Sequence, residues 1–180
     1  MSVDHSNQRT SSFIRFKPSH RTWPEQAMGA AIFLLVSLAT EWLTRWMIRL
    51  SSETGWAERT FSTHWAFKAA ISPAAWTFYH VLMAFAIWNL WRRFSLSGLK
   101  LEFAVFLFQL ALQTAWALAF FVFHESLLAL AALLFLCINT TLATLLYWKK
   151  EGFSGQALIP SFLWIFYVMG VNMAICIFNP

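Results

Sequence analysis

Five long apolar runs, at about 27–48, 74–91, 101–123, 126–148 and 157–178, take up most of this 180-residue chain. Each is long enough, at about 1.5 Å per residue, to cross roughly 30 Å of hydrocarbon as a helix. Charged residues make up 12% of the chain and gather between the runs; a soluble domain carries about twice that share. The connections after the second, third and fourth runs are short, which favours antiparallel neighbours. The expected fold is an all-α membrane protein, five transmembrane helices in a compact bundle spanning 26–180.

Residues 1–25 are polar and lack the apolar core and small-residue cleavage site of a secretory signal. They read as a flexible cytoplasmic tail. With the N-terminus inside, the inner side holds Arg9, Arg15, Lys17, Arg21, Arg92, Arg93, Lys100, Lys149 and Lys150, and the outer side Arg45, Arg49, Arg59 and Lys68. Nine against four predicts N-inside and C-outside, and the short loops point to a bacterial inner membrane. The net charge of +5 is spread in short patches beside apolar segments, not over the continuous basic surface that nucleic acid requires. Cys137 and Cys176 both lie in apolar runs without metal-ligand spacing, so neither a metal site nor a disulfide framework is expected. Trp23, Trp91 and Trp148 fall at run ends and read as interfacial belt residues.

Polar and aromatic residues recur inside the runs at helical spacing. Pro160, Trp164, Val168, Asn172 and Cys176 repeat every four residues in the last run, which places them on one face. An amide such as Asn172 in hydrocarbon costs a few kcal/mol unless it finds partners, so that face should turn to a protein interior. Trp76, His80, Met83 and Ile87 form one stripe of the second run. In the third, Gln109, Gln113, Trp116 and Phe120 share a face, with Ala104, Ala111, Ala115 and Ala119 opposite. The alanine side permits close approach of another helix, in this chain or, through Ala111, Ala115 and Ala119, in a homodimer. The fourth run places Cys137, Thr141, Thr144 and Trp148 together, with Asn139 beside them. Such threonines commonly bond their own backbone, and Asn139 suits an interhelical bond or a ligand. Glu41 and Arg45, four apart near the outer boundary, are expected to pair and snorkel to the headgroups, with cavity lining as the alternative. The interior would then hold Trp76, His80, Gln113, Trp116, Trp164 and Asn172, flat walls with a few polar groups, suited to a large planar apolar ligand.

These segments resemble the translocator protein / tryptophan-rich sensory protein (TspO/MBR) family from about residue 65 to the C-terminus. Trp76-Thr77 with Leu82-Met83, Ala86 and Trp91 is similar to W-T-x-L-Y-x-L-M-G-x-A. Gln109-Leu110, Leu112, Gln113, Trp116 and Phe120-Phe121 resemble Q-L-x-L-N-x-x-W-S-x-x-F-F. Pro160, Trp164, Tyr167, Asn172, Ile175 and Asn179 follow P-Y-x-x-W-x-x-F-A-x-x-L-N-x-x-I-x-x-x-N. The resemblance implies five helices around a pocket near the long first loop, frequent dimers, and binding of porphyrins and, in some members, sterols. It departs where a proline-rich run becomes Lys68–Pro73, where Tyr becomes His80, Asn becomes Gln113, Ser becomes Ala117, and the last-run Tyr becomes Ser161.

The expected function is therefore binding of a porphyrin or other tetrapyrrole, or of a sterol-like molecule, by a sensor, regulator or carrier in the bilayer. The ligand contacts would be Trp76, His80, Met83, Gln113, Trp116, Trp164, Val168 and Asn172, under a lid of Trp65 and Lys68. No cofactor is required; haem is a candidate ligand through His80. The alternative is an enzyme that degrades porphyrin oxidatively with light. The runs hold no paired carboxylates, Ser/His/Asp or Cys/His arrangement for hydrolysis or transfer, so no catalytic residues are assigned. A bis-histidine cytochrome would need a second histidine in the membrane, and only His80 qualifies.

Overall fold

The computed structural model describes residues 21–53 and 70–178. Helix α1 (Trp23–Glu53) begins where the Thr22 N–H donates to the Glu25 carboxylate at 2.7 Å. Pro24 sits in its first turn, where a missing N–H costs nothing. The helix extends the predicted run at both ends, so residues 23–25 are helix and not tail. Helix α2 (Pro73–Arg93) opens on proline after Ser72 and ends with Arg92 and Arg93 in its last turn. A short 3₁₀ turn (Leu96–Gly98) leads to α3 (Lys100–Ala117), which continues as a π turn over Leu118–Val122. A tight corner with His124 at φ 60° joins it to α4 (Ser126–Lys150). The short α5 (Gly152–Ala157) precedes α6 (Ile159–Phe178).

Four segments, Trp23–Glu53, Lys100–Val122, Ser126–Lys150 and Gly152–Phe178, are long and apolar enough to cross a membrane. Helix α2, with 21 residues, is more polar and touches each of the other α-helices among the described residues. Helix α1 packs on α2 and α3, α3 on α4, and α4 on α6, while α6 closes more loosely onto α2. The five long helices form the expected compact all-α bundle. Exposed Leu, Ile and Phe cover its outside on every long helix, as a surface facing lipid requires.

Polar bonds fasten the bundle at three heights. At the basic end, buried Asn89 donates to Glu151 (2.7 Å) and Ser154 (2.8 Å) and accepts from Arg92 (2.8 Å). Lys150 there donates to the Gly98 carbonyl at 2.6 Å and pairs with Glu102 at 3.4 Å. In the middle, the Gln109 amide donates to the Tyr79 hydroxyl (2.8 Å) and to Thr140, and accepts from Asn139. Asn139 thus takes the interhelical alternative, and Thr141 and Thr144 bond their own backbones as expected. At the far end Thr77 of α2 donates to Glu41 at 2.6 Å while Arg45 pairs with the same carboxylate.

That last cluster corrects the snorkelling expectation. Glu41 is 4% exposed and faces α2, because Thr77 and Arg45 offer partners that headgroups would otherwise supply. Trp91 is half-buried at the basic end of α2, its ring against Gly29 of α1 and under the Arg21 guanidinium at 3.6 Å. Trp23 and Trp148 are exposed, consistent with a belt.

Candidate functional site

Helices α2, α3 and α6 bring the predicted interior residues together. The stripe Trp76, His80, Met83 and Ile87 is buried throughout, as are Gln109, Gln113, Trp116 and Phe120 of α3. Ala104, Ala111 and Ala115 face outward, whereas Ala119 is turned inward within the π turn. On α6 the four-residue stripe is only partly inward. A helix repeats every 3.6 residues, so each step of four drifts about 40°. Val168 and Asn172 are buried, Trp164 and Cys176 sit at the edge, and Pro160 is exposed; the inward line is Ser161, Ile165, Val168, Asn172 and Ile175. On α4, Thr141 and Trp148 face out, and Thr140 and Ala143 take the inner side. Trp65 and Lys68 lie outside the described residues.

The centre of the site is a set of packed rings. Trp76 stacks on Trp116, with centroids 5.2 Å apart and planes at 24°, and meets Trp164 edge-on at 6.0 Å. Phe120 continues the stack below Trp116 at 6.2 Å. The Trp76 N–H donates to the Ala70 carbonyl at 2.9 Å. His80 has its Nδ1 2.8 Å from the Trp76 carbonyl; since a carbonyl only accepts, the proton is on Nδ1 and Nε2 presents a lone pair.

Around the rings, buried polar atoms go without partners among the described residues: the N–H of Trp116 and of Trp164, and Asn172 Nδ2. The Gln113 amide faces the His80 ring within hydrogen-bonding reach, and Asn172 Oδ1 accepts only a long contact from Cys176 at 3.8 Å. Each unmet buried group costs about 1–3 kcal/mol. They lie along the inner faces of α3 and α6, next to the satisfied networks of Thr77 and of Tyr79. The space left is small, a cavity of about 10 Å³ between Trp116, Phe120 and α6. His/Cys/Asp/Glu clusters able to hold a metal ion are absent among the described residues.

The sequence reading missed Tyr79, the partner of Gln109, and the Asn89–Glu151–Ser154 cluster. Asn89 lies nearly opposite the stripe of α2, so that periodicity did not mark it, and Tyr79 has no polar spacing to mark it.

Spanning helices around an aromatic and amide interior define a multi-pass integral membrane protein. A model of the TspO/MBR family matches residues 30–178, and the chain belongs to that family. It is similar to Protein CrtK of Rhodobacter capsulatus, with 23% identity over 136 residues that cover 72% of this chain and 81% of that protein.

Proposed function

We propose that this protein binds a planar, largely apolar ligand, a porphyrin or related tetrapyrrole, between α2, α3 and α6, and acts as a sensor, regulator or carrier. The observation that carries the reading is the set of unmet N–H groups on Trp116, Trp164 and Asn172 around stacked indoles. Indole faces suit a flat macrocycle. The free N–H groups suit its carboxylates, and the His80–Gln113 pair offers polar groups that could turn to its pyrrole N–H groups. Met83 and Val168 add buried apolar surface. A macrocycle far exceeds the cavity beside Trp116, so binding between these rings would separate Trp76 from Trp116. A sterol-like molecule is the second candidate for the same walls.

The groove of about 380 Å³ beside Ala115 and Ala119, between α3 and α4, supports a homodimer through this face. The gathering of Arg92, Arg93, Lys100, Lys149 and Lys150 at one end supports an N-inside orientation in a bacterial inner membrane.

Titration of the purified protein in detergent with protoporphyrin IX and with haemin, read by Trp quenching and the Soret band, tests the reading. Saturable micromolar binding, weakened at least tenfold in Trp164→Phe, is expected. Binding equal to that of empty micelles would sink it. Recovery of altered pigment after illumination, dependent on Trp76 and Trp164, would turn the reading towards the enzyme.

A further inference from the structure

Where α6 meets α2 the bundle carries a groove of about 330 Å³, walled by Ala75, Phe78 and Tyr79 of α2 and by Ser161, Trp164 and Tyr167 of α6. It lies between helices and not at an end, and Phe78 on it is exposed, so it opens sideways into the hydrocarbon. Tyr79 is six residues, about 9 Å, from the start of α2. Ser161 is nine residues, about 13 Å, from Gly152, where its spanning segment starts. The opening is therefore set back from the ends of both segments.

Two residues of these walls carry a buried polar group without a partner among the described residues, the Ser161 hydroxyl and the Trp164 N–H, which an occupant would reach by a small movement of the wall. Ser161 is 1% exposed. The two residues sit one helical turn apart on the same face of α6. Thr114, Thr140, Thr141 and Thr144 bond the carbonyl four residues back; Ser161 does not. Ser161 also stands where the P-Y-x-x-W pattern has tyrosine, so a phenol ring's volume is missing from this wall.

The chemistry of the groove selects its occupant. An indole N–H only donates, so the occupant carries an acceptor oxygen. Aromatic walls favour a flat ring. A lateral opening far from the headgroups excludes lipids whose polar group is held at the interface, and favours a head that moves within the hydrocarbon on an apolar tail. We propose that this groove binds the head of an isoprenoid quinone, with a ring carbonyl accepting from Ser161 and Trp164 and the tail leaving between the helices. The proposal concerns binding alone; it shares the Trp164 N–H with the porphyrin reading but does not rest on that reading.

The test uses the full chain in phosphatidylcholine nanodiscs and equilibrium binding of a benzoquinone with one or two isoprene units, with the isoprenoid alcohol of the same tail as competitor. We expect saturable binding of about one equivalent that the alcohol does not displace. Ser161→Ala should weaken it about five- to tenfold, the loss of one hydrogen bond. Ser161→Phe and Ala75→Leu, which fill the groove from opposite walls, should each weaken it more than tenfold while eluting and melting as the wild type. Partitioning no different from empty nanodiscs, equal displacement by the alcohol, stronger displacement by a sterol, or unchanged binding in either folded filling variant would overturn the proposal.

Discussion

The indoles of Trp76 and Trp116 are stacked 5.2 Å apart, yet only Trp76 has a partner for its N–H, the Ala70 carbonyl. The same substitution should therefore act differently at the two positions. Trp76→Phe loses a formed bond, about 1 kcal/mol, whereas Trp116→Phe also removes an unmet donor that costs about 1–3 kcal/mol. We expect Trp76→Phe to be the less stable variant by about 2 kcal/mol in reversible unfolding in mixed micelles. Equal losses would mean that the Trp116 N–H is satisfied in the membrane.

Gln109 holds Tyr79, Asn139 and Thr140 together across three helices. Gln109→Leu leaves the Asn139 amide with the Val105 carbonyl alone, at 3.1 Å, and deprives Tyr79 and Thr140 of a partner, so it should cost about 2 kcal/mol, more than interhelical bonds average in membranes. Asn139→Leu added to it should restore part of the loss, with a coupling of about 0.5–3 kcal/mol in a double-mutant cycle. Simple additivity would show that the two amides act separately.

Two glycines mark contacts too close for a side chain. A Cβ on Gly155 would lie 2.6 Å from the Trp148 Cα, which is backbone and cannot turn aside; one on Gly29 would lie 2.2 Å from the Trp91 ring. Alanine at either site should cost about 1–3 kcal/mol. Trp91→Leu should relieve Gly29→Ala, while no side-chain change at Trp148 should relieve Gly155→Ala. Melting temperatures of the four proteins decide it.

Burial alone would raise the Glu151 carboxyl, but the Ser154 hydroxyl and backbone N–H, with Arg93 at 3.7 Å, outweigh it and hold the group below the ordinary carboxylate value. A depressed folded value means that the stabilisation is present above the unfolded pKa and is lost as pH falls through the folded one. Thermal stability should drop on acidification below the ordinary carboxylate range. Glu151→Gln should be less stable near neutrality by about 1–3 kcal/mol and should flatten this part of the pH profile. An unchanged profile in Glu151→Gln would assign the acid sensitivity elsewhere.

Much of the fold was legible because lipid makes a helix declare its faces. On α3 the polar and aromatic residues fall on one side and alanines on the other, and the bundle follows that division up to Ala119, where the π turn rotates it. On α6 a period of four was read for one of 3.6, which put Pro160 inside and left Ser161 out. Glu41 was misplaced for a different reason. Its partner Thr77 lies on another helix, and no spacing within α1 announces it. The α2–α6 groove was not legible at all, since it depends on how loosely two helices close.

The cavity of about 10 Å³ beside Trp116 has no room for a macrocycle among the described residues. Any guest that displaces the Trp76–Trp116 stack binds a minority conformation, and its apparent dissociation constant is the intrinsic one divided by the fraction of molecules already open. If about one molecule in a hundred is open, affinity falls about a hundredfold. Loosening the stack would then tighten binding even as it removes a ring from the wall, so the tightest variant and the best-packed protein would be different molecules.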